Sequence, residues 1–133
     1  MFGKKKQPPI RTLIGEGTRI EGCLAFIDAL RIDGEVVGDV IGAEDAPTLL
    51  VISEKAKVIG KVKARHVIIN GTVEGPVESD ELLELQPKAR IHGDVRYQSL
   101  EMHQGATIEG QVQVLKADEP AAAGPLKLAS SNG

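Results

Sequence analysis

One short pattern recurs six times along this 133-residue chain: an aliphatic residue, any residue, glycine, any residue, and a second aliphatic residue. The first three copies are Ile20-Glu21-Gly22-Cys23-Leu24, Val36-Val37-Gly38-Asp39-Val40 and Val58-Ile59-Gly60-Lys61-Val62. The others are Val73-Glu74-Gly75-Pro76-Val77, Ile91-His92-Gly93-Asp94-Val95 and Ile108-Glu109-Gly110-Gln111-Val112. Their closing residues are separated by 16, 22, 15, 18 and 17 residues. The long step is accounted for by one insertion around Ile41 to Leu49, which contains Pro47. Self-similarity at such a period marks a stacked architecture in which one repeat cannot bury its apolar face alone. About 18 residues make one turn of a three-sided parallel β-helix. Separate hairpins would instead show turn signals every 8–12 residues or so.

A second aliphatic pair precedes each copy: Leu30 with Ile32, Leu50 with Ile52, Val67 with Ile69, Leu83 with Leu85, and Leu100 with Met102. Thr12 with Ile14 is the weaker first member. A spacing of two puts both side chains on one face of a strand. Two links between pair and repeat are short, Asp33-Gly34 and Asn70-Gly71, and positive φ at those glycines is expected to form the tight corner. The other four links are two residues longer. Pro76 is assigned to a corner, since a proline cannot donate to a strand ladder. The register stacks Arg19, Glu35 and Lys57 on successive turns, sets Asp39 beside Lys61, and places His92 between Glu74 and Glu109.

Composition agrees with a narrow aliphatic core. Phe2, Phe26 and Tyr97 are the only aromatic residues, so no large rings are available to fill a thick one. Glycine reaches 15 residues, about 11% against a usual 7% or so. The expected fold is all-β: a single-domain parallel β-helix of about six turns over residues 12–115. Residues 1–11 and the Ala/Pro/Gly/Ser-rich residues 116–133 are expected to be disordered tails.

The same features narrow the function. A net charge of −3 gives no basic field for nucleic acid. Cys23, the single cysteine, cannot form an internal disulfide, which favours a reducing compartment. No apolar run approaches the ~18 residues of a membrane span, and no secretory signal is expected. Gly15-Glu16-Gly17 lacks the Gly-Lys-Ser/Thr of a phosphate loop, so no nucleotide is expected. Of His66, His92 and His103, His92 between Glu74 and Glu109 has the makings of a metal pair or an acid/base site, but no His-x₃-His, paired cysteines or nucleophile motif accompanies it, and a surface ladder is expected. No catalytic, cofactor or metal residues are therefore assigned.

Two features point to association. A solenoid needs polar caps, and neither terminus carries an amphipathic capping helix. Ile14, Ile20 and Leu24 at one end, and Ile108, Val112, Val114 and Leu115 at the other, are therefore expected to form end-to-end self-contacts. The start, Met1-Phe2-Gly3-Lys4-Lys5-Lys6, joins apolar to basic residues. Each lysine near an anionic leaflet is worth about 1 kcal/mol, and burial of Phe2 with Met1 about 2–4 kcal/mol. Many copies on one polymer would bind by avidity.

The six-turn array, this basic start and the Pro/Ala/Ser tail together resemble the bactofilin family. The resemblance implies a right-handed β-helix in the bacterial cytosol. It also implies non-polar filaments that form without nucleotide and a scaffold role in cell shape, cell-wall growth or polar placement. Cell-wall synthases or peptidases are the partners it implies. It assigns Met1, Phe2, Lys4, Lys5 and Lys6 to targeting the inner face of the cytoplasmic membrane. Two other readings of the residues stand beside it: a left-handed β-helix acyltransferase and a β-helical adaptor that does not polymerise.

Overall fold

A computed structural model describes residues 10–115. These residues contain fifteen β-strands and no helix, and every strand pairing is parallel. The chain winds through about six turns, each crossing three faces. One face is a six-stranded sheet built from the repeat itself, from Arg19–Glu21 at one edge to Thr107–Glu109 at the other. The other two faces merge into a nine-stranded sheet that folds over a corner. Early turns break there into separate strands, such as Leu24–Phe26 and Asp28–Ile32. Later turns run through it as single bent strands, Val62–Ile69, Val77–Leu85 and Val95–Met102. The register skips at this bend, between Ser79 and Leu82. The first strand, Ile10–Ile14, starts two residues ahead of the expected array.

The inward rows are those expected from the aliphatic spacing. Val36, Val58, Val73 and Ile91 lie in register and have no exposure. So do Val40, Val62 and Val95, with Val77 barely less covered. Ile32, Ile52, Ile69 and Leu85 complete the layers. Each such side chain contributes about 1.5–3 kcal/mol on full burial.

Glycine ties the layers together. A Cβ on Gly60 would lie 2.2 Å from the Gly38 carbonyl oxygen, and one on Gly75 2.2 Å from that of Gly60. The same contact runs from Gly38 to Gly22, Gly93 to Gly75 and Gly110 to Gly93. One column of glycines thus stacks backbone on backbone along the rod. Gly60 also carries φ +148°, in the region L side chains rarely adopt.

The short corners behave differently from expectation. Gly34 and Gly71 are not among the glycines with positive φ. They are required by space instead: a Cβ on Gly34 would meet Thr18 O at 2.4 Å, and one on Gly71 would meet Ser53 O at 2.2 Å. The short links tuck beneath the longer links of neighbouring turns. Asn70 Oδ1 accepts the Lys88 backbone N–H at 2.9 Å, and Asp33 accepts the Ser53 hydroxyl. That hydroxyl chiefly holds the Asp33 carboxyl below its usual value, against desolvation by burial and with a lesser contribution from the Arg31 guanidinium.

Pro76 does occupy a corner, between Thr72–Glu74 and Val77–Leu85. Its carbonyl accepts from Val62, and the ladder resumes with Val77 donating to Asp94. At the equivalent corners the Asp39 and Asp94 carbonyls accept in the same way, from Leu24 and Val77, and a side chain accepts in addition: Asp39 Oδ1 takes the Lys61 N–H at 2.9 Å, and Asp94 Oδ1 that of Gln111 at 3.0 Å. Asp39 therefore serves the Lys61 backbone rather than its ammonium group. The bend at Arg65 is satisfied from both sides. Buried Thr48 accepts the Arg65 N–H at 3.0 Å, and buried Ser79 donates to the Arg65 carbonyl at 2.8 Å.

The glycine column gives a direct test. Gly60→Ala should cost about 3 kcal/mol or more, combining positive-φ strain with a clash against rigid backbone. Gly17→Ala shares a positive φ, +92°, but has nothing within 4 Å of the new methyl. It should cost about 1 kcal/mol. Denaturant unfolding of both variants checks the difference.

Candidate functional site

The rod ends differ from its middle in the burial of equivalent positions. Leu85 and Met102 face each other across adjacent strands on the same inward row. Leu85 is fully buried, whereas Met102 is 46% exposed. Val95 is fully buried, whereas Val112, its partner one turn on, is 45% exposed. Val114, opposite half-buried Tyr97, is 47% exposed. Ile108 and Leu115 are half-buried. At the other end Ile20 and Leu24 are half-buried, while Ile14 is covered to 7% exposure. The seven residues expected at the ends thus lie on the two terminal turns. Val112 and Val114 are the most open of them.

The backbone is open there as well. Among the described residues, the nine-stranded sheet ends in Ile10–Ile14 and Val112–Val114, with no further strand beyond either. The six-stranded sheet ends in Arg19–Glu21 and Thr107–Glu109. Within the described residues each end presents a strand edge with no paired neighbour beside apolar side chains, which is a template for adding another parallel or antiparallel layer.

The sides carry charge. Arg19, Glu35 and Lys57 do stack in register, but only Arg19 and Glu35 pair directly, at 3.9 Å. Lys57 reaches diagonally to Glu74 at 3.6 Å. That leaves His92, which sits between Glu74 and Glu109 in register, to pair with Glu109 alone, Nδ1 to Oε1 at 3.0 Å. On another face Lys63 bridges Glu44 at 3.0 Å and Glu78 at 3.7 Å. The Glu44 contact chiefly raises the Lys63 value. A shallow notch lined by Glu16, Arg31, Asp33, Ser53, Glu54 and Lys55 lies over the short Asp33-Gly34 link. Its cations are engaged internally, Arg31 by Asp33 and Lys55 by Glu16.

One set of side chains was not legible in the repeat. Glu84, Glu101 and His103 bring possible metal-ligating atoms within 4.8 Å of one another. Glu84 and Glu101 lie opposite each other on adjacent strands, and His103 approaches them from the following link. Their 17-residue offset could have pointed to a stack, but His103 sits in a link outside the strand register. Met1, Phe2, Lys4, Lys5 and Lys6 lie outside the described residues. Within those residues no helix is long and apolar enough to cross a membrane.

Known proteins bear on this arrangement. Residues 12–113 match the family model described as "Bactofilin: Polymer-forming cytoskeletal". The chain is 26% identical over 121 residues to Bactofilin BacP of Myxococcus xanthus (strain DK1622), covering 86% of this chain and 49% of the relative. It therefore spans about half the length of that curated relative. No solved structure matches.

Two measurements test this geometry on dilute protein. Leu85→Ala should cost about 2–5 kcal/mol, the usual range for a filled core, whereas Met102→Ala on the same row should cost under about 1 kcal/mol. Burial pushes His66 below its ordinary 6.5, although Glu84, Glu81 and Glu101 pull the other way. Its neutral ring then supports the fold fully above pH 6.5, and that contribution falls away as pH drops through the folded value. An NMR titration should place the His66 midpoint below 6.5, and His66→Gln should flatten that part of the stability profile.

Proposed function

The chain belongs to the bactofilin family of polymer-forming cytoskeletal proteins, and from that premise we propose that it assembles end to end into filaments without nucleotide. The observation that carries this reading is the pair of open ends. Each joins unpaired strand edges to a cross-section of the aliphatic core. A joint that continues the solenoid hydrogen-bonds those edges and removes Met102, Val112 and Val114 from water together. The gain is the same kind that stacks one internal turn on the next. Joints between like ends, C-terminal to C-terminal and N-terminal to N-terminal, give a filament without polarity.

The filament lies on the inner face of the cytoplasmic membrane in this proposal. Support comes from the first turn, where Ile10, Leu13 and Ile27 are 46%, 59% and 61% exposed. Ile10 and Leu13 follow shortly after Met1, Phe2, Lys4, Lys5 and Lys6 in sequence. Apolar and basic residues close together in sequence suit an anionic leaflet. Repetition along a polymer multiplies a weak single contact. The protein then acts as a cytoplasmic scaffold, not an enzyme, that positions cell-shape or cell-wall machinery. The cytoskeletal character of the family favours this over an acyltransferase, and the open ends favour it over an adaptor that stays single.

Val114→Arg separates these readings. It places a charge in the C-terminal joint, where an unpaired buried charge costs more than such a contact supplies. The fold should survive, since Val114 is 47% exposed. Wild-type protein should sediment as filaments equally with and without ATP or GTP. The variant should stop at dimers joined through the N-terminal end. Long filaments from a well-folded Val114→Arg variant would refute joints at the ends.

A further inference from the structure

We propose that Glu84, Glu101 and His103 form a divalent transition-metal site, best suited to zinc, that clips the last turn of the solenoid to the one before it. His103 Nε2 lies 3.4 Å from Glu84 Oε2 and 3.8 Å from Glu101 Oε2. Two ligands on a tetrahedral zinc with bonds of about 2.0–2.2 Å stand about 3.3–3.6 Å apart. The two edges that meet at His103 are therefore close to those of a bound ion, and the edge between the carboxylates, within 4.8 Å, closes by side-chain rotation. One imidazole and two carboxylates, with a position left open to water, are a ligand set zinc commonly accepts.

The surroundings favour a cation here. Glu84 and Glu101 are directly opposite in register on neighbouring strands. Like charges in that relation repel and destabilise the sheet. No Lys or Arg among the described residues forms an ion pair with either carboxylate; each pairs with His103. This contrasts with Glu78, which Lys63 and Arg96 bracket on another face. A divalent ion neutralises both carboxylates at once and takes the imidazole in its neutral form.

The ligands are held in place. Gln86 Nε2 donates to Glu84 Oε2 at 3.3 Å, an outer contact of the kind that orients a ligating carboxylate. The His103 backbone N–H donates to the Leu85 carbonyl at 2.9 Å, and its own carbonyl accepts from Ala106 at 3.2 Å. Glu84 belongs to the strand Val77–Leu85, Glu101 to Val95–Met102, and His103 to the link that leads into the final repeat. A bound ion therefore ties the terminal turn, whose core residues are the least covered, to the buried turn beneath it. It tunes the rigidity of the C-terminal end without being needed for the fold.

The test is independent of filament formation. The full-length protein, freed of metal by chelation, is titrated with Co²⁺ and followed by visible absorption. The expected result is one equivalent bound with the intense bands of tetrahedral cobalt, displaced by Zn²⁺. Zn²⁺ should raise the melting temperature and EDTA should reverse the rise. Glu84→Gln and His103→Asn, both folded by circular dichroism, should bind at least about tenfold more weakly, since loss of even an outer-shell contact has that effect. His92→Asn and Cys23→Ser, which remove the exposed imidazole and thiol elsewhere on the rod, should bind as wild type. An absent tetrahedral signal would overturn the site. So would unchanged binding in Glu84→Gln and His103→Asn, or binding lost in Cys23→Ser.

Discussion

The contact on which this structure depends is glycine Cα against glycine carbonyl, repeated once per turn. Parallel strands that stack in register are held about 4.8 Å apart by their hydrogen bonds. Where the chain leaves the repeat face, it turns so tightly that the next turn's Cα lies over the preceding carbonyl oxygen. A methyl there would stand 2.1–2.4 Å from that oxygen at Gly38, Gly60, Gly75, Gly93 and Gly110. Backbone cannot yield as a flexible side chain can, so the column admits hydrogen alone. With the corner fixed in every turn, the flanking aliphatic residues fall into register without further instruction. The insertion from Ala43 to Pro47 can then loop out without shifting Val40 from Val62.

The inward rows were legible because strand alternation forces them: a spacing of two on either side of a fixed corner leaves one possible interior. The charge column Arg19-Glu35-Lys57 followed from the same register. Where side chains meet across turns, register alone was insufficient. Lys57 chose Glu74 over its direct neighbours, and the Asp39 carboxylate went to a backbone N–H. A long side chain reaches diagonal partners that no repeat count specifies. Gly34 and Gly71 show a different limit. Asp-Gly and Asn-Gly normally announce positive φ, but in a solenoid the neighbouring turn crowds the link, and space replaces dihedral freedom as the reason for glycine. The Glu84, Glu101 and His103 set escaped notice for a related reason, since one member lies in a link whose height over the strands depends on the path of the chain.

Stacking has a consequence at both ends. Each internal turn is covered above and below, which brings its core residues to almost no exposure. Among the described residues, the terminal turns have the same sequence pattern and therefore the same apolar face, with only one neighbouring turn. A pattern that makes turn stack upon turn contains no instruction to stop at the end of a chain. The family is described as polymer-forming, and here Val112 and Val114 stand open on the last turn.

The most direct measurement is the axial repeat of assembled filaments by electron microscopy and fibre diffraction. Six turns at about 4.8 Å give a rod about 29 Å long. If the solenoid continues through its joints, filaments should show a strong axial spacing near 4.8 Å. The subunit repeat should be close to 29 Å, or about twice that when like ends meet. An axial repeat matching the width of the rod, with strands running along the filament, would contradict the account, because the subunits would then be joined through their sides.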